Sequence, residues 1–184
     1  MKNDWTIIQL MQQTRHDWMN KIQLIKGNID LNRIDRVKDI IDDIILEARQ
    51  ESKLTNLKMP RFAQLLLTYN WTNSFLRLEY EIIDEDLELH VDDEQLTDWC
   101  EAFLYKLEIS LQPYGENHLY ISLEKSLNDH VRFFFDFGGI IKDKDAMIEW
   151  LQLAEKEQMV HKINILHLSE REFSFELLLH NAKK

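Results

Sequence analysis

The strongest constraint on the fold is a repeat of apolar side chains, spaced alternately by three and four residues, near the N-terminus. It comprises Ile8, Met11, Trp18, Ile22, Ile25 and Ile29, and Arg15 is its one interruption. A second repeat follows at Ile34, Val37, Ile41, Ile44 and Ala48, widened by Ile40 and Ile45. Side chains at this spacing form one face of a helix and the seam of a helical bundle. Residues 1–60 are therefore predicted to form two helices.

The polar stretch from Asn32 to Asp35 lies between the two repeats and predicts a short turn. A short connection makes the two helices antiparallel neighbours. Two helices alone cannot bury apolar stripes this wide. A second copy of the hairpin would bury them in a dimeric four-helix bundle, and packing against the rest of the same chain is the alternative.

After residue 60 the pattern changes to mixed helices and strands. Pro60 indicates a boundary, because the residue before a proline disfavours the helical conformation. Helices are predicted at 61–77, from Asp92 to the Pro113–Gly115 region, and at 143–157; strands are predicted at 78–82, 87–91, 119–123, 131–137, 162–168 and 173–179. The prediction is an α+β protein with a helical hairpin (1–60) and an α/β sandwich domain (61–184) whose sheet is mainly antiparallel.

Composition narrows the possible environments and partners. Cys100 is the only cysteine, so no intramolecular disulfide can form, which favours a reducing compartment such as the cytosol. No signal-peptide pattern or membrane-length apolar run is present, so a cytoplasmic protein without a membrane partner is predicted. Residues 61–184 carry twelve Lys and Arg against twenty-four Asp and Glu, which argues against nucleic-acid binding.

A second face of the first helix is polar, uncharged and free of bulky aliphatic side chains. It holds Gln9, Gln12, Gln13, His16, Asn20, Gln23 and Gly27. An exposed imidazole with little steric bulk around it suits nucleophilic attack on a phosphoryl group. Asp17 can orient the ring, while Arg15 and Asn20 can neutralise or hydrogen-bond phosphoryl oxygens. The alternative, a plain surface histidine, is the commoner case on helices.

The residues around His16 carry a family resemblance. The stretch from Arg15 to Asn28, Arg-His-Asp-Trp-Met-Asn-Lys-Ile-Gln-Leu-Ile-Lys-Gly-Asn, resembles the active helix of the sporulation initiation phosphotransferase B family of endospore-forming bacilli. The resemblance continues at 35–37, 51–54 and 56–58, and more weakly at 69–71, 78–81 and 116–119. His-Asp with Asn at the fourth position after His also resembles the phosphoacceptor box of sensor histidine kinases.

The resemblance implies a homodimer in which His16 accepts a phosphoryl group from a single-domain response regulator. His16 would then pass it to a response-regulator transcription factor that commits the cell to sporulation. The hypothesis places the docking surface on Gln12, Lys21, Gln23 and Gly27, with Mg²⁺ held by the regulator and no cofactor on this chain. A non-catalytic docking or scaffold protein for two-component regulators is the alternative function.

The resemblance also implies that the second domain has the fold of a kinase ATP-binding domain. The helix that should carry a metal-binding asparagine has none between Leu107 and Tyr114. Asp136-Phe137-Gly138-Gly139 lacks alternating glycines and favours a hairpin turn. The sequence therefore predicts no use of ATP. The seven histidines are scattered, so no metal site is predicted, and His161 and His167 are interpreted as a surface pair.

Overall fold

The computed structural model describes residues 6–72, 75–112, 115–127 and 130–181. The elements are α1 (Ile7–Asp30), α2 (Ile34–Asn56), α3 (Pro60–Thr72), β1 (Arg77–Ile82), α4 (Asp93–Ser110), β2 (His118–Ser126), β3 (His130–Gly138), α5 (Lys144–Ala154), β4 (Val160–Leu168) and β5 (Glu172–His180). The chain divides into two compact units, residues 1–49 and 50–184. The division falls inside α2, ahead of the boundary predicted at residue 60.

The first unit, called the hairpin unit, is built from α1 and the first part of α2. Thr6 caps α1: its Oγ1 accepts from Gln9 N at 3.3 Å, and Gln9 Oε1 accepts from Thr6 N at 2.9 Å. This reciprocal capping satisfies backbone donors that have no partner within the helix. Asn32, in the connection to α2, has a φ of 55°, a left-handed conformation that asparagine tolerates. The predicted helical hairpin is confirmed, but its turn lies at residues 31–33, since Ile34 and Asp35, which were predicted in the turn, already belong to α2.

The apolar stripe of α1 remains accessible in the single chain. No residue from Ile7 to Asp30 is buried. Ile8, Met11 and Ile22 are 65%, 62% and 52% exposed, whereas Val37 and Ile40 of α2 are buried. The predicted seam is therefore only partly covered by one copy of the hairpin.

The second unit, called the sheet unit, contains a five-stranded sheet in the order β1-β2-β3-β5-β4. β1 runs parallel to β2, and the other three pairings are antiparallel, so the predicted mainly antiparallel sheet is confirmed. α4 packs on one face, where Phe103 lies 5.0 Å from Phe135 and 5.2 Å from Phe175 between ring centroids. Cys100 is buried there, and burial raises the pKa of its thiol, which makes it a core residue.

Side chains rather than another strand satisfy part of the outer edge of β1. Asn70 Oδ1 accepts from Leu78 N at 2.9 Å, and Asn70 Nδ2 donates to Leu78 O at 2.7 Å. Gln50 Oε1 accepts from Ile82 N at 2.8 Å. At the opposite edge, the register of β4 against β5 shifts between Val160 and Lys162 and again between Ile165 and His167. Side chains therefore occupy part of the edge at β1, and the edge strand β4 is irregular.

The strand predicted at 87–91 is wrong. Leu87 and Leu89 are buried and alternate with exposed residues, but the segment has no ladder. Instead Asn181 holds it, with Oδ1 accepting from His90 N at 2.6 Å and Nδ2 donating to Glu88 O at 2.9 Å. Alternating burial indicates an extended backbone, which does not require a neighbouring strand.

The hairpin turn predicted at Gly138-Gly139 is also wrong, because Gly138 is the last residue of β3 and the next element after Gly139 is the helix α5, not a strand. Gly139 has a φ of 157°, and a Cβ there would overlap Asn117 Oδ1 and the ring of Phe137. Close packing therefore requires a glycine at this position. Within the described residues, no helix is both long and apolar enough to cross a membrane.

Candidate functional site

His16 lies in the middle of α1 with its side chain 67% exposed. Of the polar residues that share its face, Gln12, Asn20 and Gln23 are exposed as well, and Gln13 is partly exposed. The ring is therefore open to a macromolecular partner, as the spacing of the polar face predicts. A nucleophilic imidazole needs this accessibility.

Both contacts of the His16 ring are made by one nitrogen. His16 Nδ1 lies 3.4 Å from Asp17 Oδ1 and 3.3 Å from Asn20 Nδ2. It can donate to the Asp17 carboxylate or accept from the Asn20 amide, but not both in one tautomer. The choice between these partners therefore selects the tautomer of the imidazole.

The other nitrogen, Nε2, is the candidate nucleophile. No residue in the described part of the chain forms a hydrogen bond with it. When Nδ1–H donates to Asp17, Nε2 carries the lone pair. Asp17 thus favours the tautomer that can attack an electrophilic phosphorus atom.

A further residue supports Asp17. Gln13 Nε2 donates to Asp17 Oδ1 at 3.3 Å from one helical turn earlier. Gln13 lies on the polar face predicted from the sequence, where it had no assigned role. Its spacing of four residues from Asp17 is the signal that points to this contact.

Arg15 is exposed and forms no ion pair with any of the described residues, so its guanidinium is open to an incoming anion. Gly27 is also open, since a Cβ there would have no neighbour within 4 Å. Lys21 differs from both. It pairs with Glu47 of α2 and lies 5.7 Å from the ring centroid of Trp18. The structure therefore brings Asp17 and Asn20 to His16, but ties Lys21 to the hairpin itself.

In the sheet unit, the end of α4 carries no asparagine at the positions considered for a nucleotide-bound metal. Leu107 is buried, and Ser110 Oγ donates to the carbonyl of Lys106 at 2.8 Å. These side chains serve packing and helix termination. The absence of ATP use remains a prediction.

Two family models match consecutive parts of the chain, one helical and one C-terminal. Residues 1–57 match a family model described as the alpha-helical domain of the Spo0B-type sensor kinase. Residues 58–180 match the C-terminal model of sporulation initiation phosphotransferase B. The chain is 38% identical over 141 residues to sporulation initiation phosphotransferase B of Bacillus subtilis (strain 168), covering 76% of this chain and 73% of the relative.

Two solved structures are also similar. One is the nucleotide-free catalytic domain of the histidine kinase ThkA, with 13% identity, a TM-score of 0.47, and 70% of this chain and 95% of that chain covered. The other is ThkA in complex with the response regulator protein TrrA, with 15% identity and a TM-score of 0.43. That match covers 94% of this chain and 61% of the kinase chain.

Proposed function

Since the chain belongs to the sporulation initiation phosphotransferase B family, and so is a phosphorelay transferase, we propose that His16 carries a phosphoryl group between the aspartates of two response regulators during sporulation initiation. The observation that carries the proposal is the exposed His16 ring, whose two contacts both fall on Nδ1. This arrangement leaves Nε2 open to a visiting protein.

The first transfer begins with His16 Nε2 in line with the aspartyl phosphate of the donor regulator. The bond from Nε2 to phosphorus forms while the bond from phosphorus to the aspartate oxygen breaks, and the aspartate leaves as a carboxylate. The second transfer reverses this sequence on the acceptor regulator. Because the transition state of phosphoryl transfer is loose, catalysis comes mostly from positioning the reacting groups and from stabilising the charge on the phosphoryl oxygens.

Each residue around His16 has a role in this scheme. Bond formation at Nε2 makes the ring cationic, and the Asp17 carboxylate, steadied by Gln13, stabilises the proton on Nδ1. With Nδ1 donating to Asp17, the Asn20 amide is released to donate to a phosphoryl oxygen. The exposed Arg15 guanidinium stabilises the phosphoryl charge.

The regulators dock on the polar face of α1, beside Gln12, Gln23 and the open surface at Gly27. Lys21 borders this surface and contributes through its side-chain stem, because its ammonium group pairs with Glu47. The donor is a single-domain regulator and the acceptor is a regulator with transcription-factor activity. The Mg²⁺ belongs to each regulator, and this chain uses no ATP.

The chain functions as a homodimer in this proposal. Ile8, Met11 and Ile22 of the apolar stripe are each more than half exposed in one chain, and a second hairpin offers a matching stripe. An isologous pairing of the two hairpins gives a four-helix bundle. The dimer then presents two His16 sites.

The deciding experiment mixes the protein with a donor regulator that carries labelled phosphate. His16→Ala should abolish acid-labile, base-stable labelling of this chain and all labelling of the acceptor, while the dimer remains folded. His167→Ala, which removes another exposed histidine, should transfer normally. Transfer by His16→Ala at the normal rate would refute the site. A wild-type chain that changes regulator dephosphorylation but never becomes labelled would instead establish the scaffold function.

A further inference from the structure

Three histidines that are far apart in the sequence meet at one end of the sheet. His130 is the first residue of β3, His180 is the last residue of β5, and His161 is the second residue of β4. Ring centroids lie 4.2 Å apart for His130 and His161, 5.0 Å for His161 and His180, and 5.4 Å for His130 and His180. One nitrogen from each ring lies within 4.8 Å of the other two.

The register of the strands brings these side chains together. His130 and His180 are directly opposite each other in the antiparallel pair of β3 and β5. In β4, Val160 pairs with Leu179 and Lys162 pairs with Leu178, so His161 is an extra residue at the register shift. A bulge of this kind redirects a side chain. Here the bulge lies at His161, whose ring is close to the rings of His130 and His180.

The histidines lie on the face of the sheet opposite the core. Their neighbours Val131 and Leu179 are fully buried, while His161 and His180 are exposed and His130 is partly exposed. Alternation along a strand places adjacent residues on opposite faces. The three rings are therefore accessible to an ion in solvent without disturbing the core.

One ring is held in an orientation that suits a ligand. His130 Nδ1 lies 3.1 Å from the carbonyl oxygen of Leu127, which can only accept a hydrogen bond, so Nδ1 is the donor. Nε2 of His130 then carries a lone pair. Metal-binding histidines commonly donate their second ring nitrogen to a backbone carbonyl in this way.

We propose that His130, His161 and His180 form a binding site for a divalent transition-metal ion such as Zn²⁺. Three imidazoles and a water give the tetrahedral set that Zn²⁺ favours, whereas Mg²⁺ and Ca²⁺ prefer oxygen ligands. Nitrogen ligands on a tetrahedral zinc at about 2.1 Å lie roughly 3.4 Å apart, so the rings close inward on binding. The bound ion ties the start of the edge strand β4 to β3 and β5.

The site was outside the reach of the sequence analysis, which predicted no metal ligands. Recognised zinc motifs place ligands a few residues apart, whereas here each ligand comes from a different strand. The proposal does not depend on phosphoryl transfer at His16, because the cluster lies in the sheet unit and His16 lies in the hairpin unit.

The test uses the untagged full chain, freed of metal with a chelator and titrated with Zn²⁺ in competition with a chromophoric chelator. One Zn²⁺ should bind per chain, and Co²⁺ in its place should give the intense visible absorption of a tetrahedral ion. His161→Ala and His180→Ala should each weaken Zn²⁺ binding at least tenfold. His167→Ala, on the same strand as His161 but outside the cluster, should bind as the wild type does.

Two results would overturn the proposal. One is Zn²⁺ binding by His161→Ala and His180→Ala that equals binding by His167→Ala. The other is displacement of Zn²⁺ by millimolar Mg²⁺, which an imidazole site excludes. Because His161 and His180 are exposed, their variants should keep the wild-type near-ultraviolet circular dichroism, and a folded variant with full affinity speaks directly against the site.

Discussion

The hairpin unit and the sheet unit bury their apolar side chains in opposite ways. No residue of α1 is buried, although it carries a long apolar repeat. In the sheet unit, Trp99, Phe103, Phe135 and Phe175 are almost completely buried in a single cluster. The sheet unit therefore contains its own hydrophobic core, whereas the apolar side chains of α1 in the hairpin unit remain exposed to solvent in the single chain.

Because of this difference, the residues that stabilise the fold and the candidate functional residues lie in different units of the chain. Burial of apolar surface is the main driving force of folding, so the sheet unit has what it needs within one chain. In the proposed dimer, a second copy covers the stripe of the hairpin unit and supplies the same kind of stabilisation. In the same proposal, the polar face of α1 that bears His16 is open to regulators whether or not the second copy is bound.

The largest expected effect is a loss of stability when a side chain is removed from the core of the sheet unit. Phe103→Ala should lower the free energy of unfolding by about 3–5 kcal/mol, because it leaves a cavity beside Phe135 and Phe175. Tyr105→Ala, at an exposed position two residues along the same helix, should change it by about 0.5 kcal/mol or less. Urea unfolding followed by tryptophan fluorescence measures both. Equal effects would mean that the core is not centred on α4.

The next effect concerns the exposed stripe of the hairpin unit. Ile22→Glu should weaken the proposed dimer by at least about a hundredfold, or about 2.7 kcal/mol, because it places a charge in the apolar interface of both copies. Gln23→Glu introduces the same charge on the adjacent, polar face and should leave the dimer intact. Sedimentation velocity over a concentration series distinguishes them. A monomeric wild type would show that the stripe is covered in another way.

A smaller effect is expected where the sheet unit packs a glycine against a buried amide. Gly139→Ala should cost about 1–3 kcal/mol, since its Cβ would overlap Asn117 and Phe137. Gly138→Ala has open space around the new Cβ and is the matched control. Thermal unfolding of the two variants should separate them. Identical melting temperatures would show that the loop relaxes without strain.

The smallest effect is on the rate of transfer. Asn20→Ala should slow phosphoryl transfer about tenfold, because one hydrogen bond to a charged group is lost. The free energy of unfolding should not change, as Asn20 is exposed. Asn28→Ala, on the same helix and two turns further on, should transfer at the wild-type rate. Rapid-quench kinetics with a labelled donor gives these rates, and an unchanged rate would remove Asn20 from the mechanism.

The sequence predicts local structure well where the pattern itself is local. The repeat from Ile8 to Ile29 predicts a helix because the spacing of apolar residues that makes a helix amphipathic is visible within two turns of sequence. Residues 87–91 show the opposite case. Their alternation reports burial of Leu87 and Leu89, but the partner that holds them is Asn181, far along the chain. The parallel pairing of β1 with β2 likewise depends on a segment beyond α4.

In the candidate site too, some features follow from local sequence spacing and others do not. Exposure of His16 follows from its place on a polar helical face, and the spacing predicts it. The shared contact of Asp17 and Asn20 with Nδ1 depends on side-chain rotamers, which the spacing does not specify. The histidine cluster depends on the register of three strands and on the register shift in β4. Such long-range pairings are not visible in a single sequence.

The two edges of the sheet have a consequence for how the protein behaves at high concentration. An unpaired strand edge is a template on which other chains can assemble into aggregates. Asn70 and Gln50 occupy hydrogen-bonding groups of β1, and the irregular register of β4 disrupts the regular ladder that an incoming strand would extend. Self-association by strand addition is thereby disfavoured at both ends of the sheet, in keeping with the proposal that two copies associate through their helical hairpins.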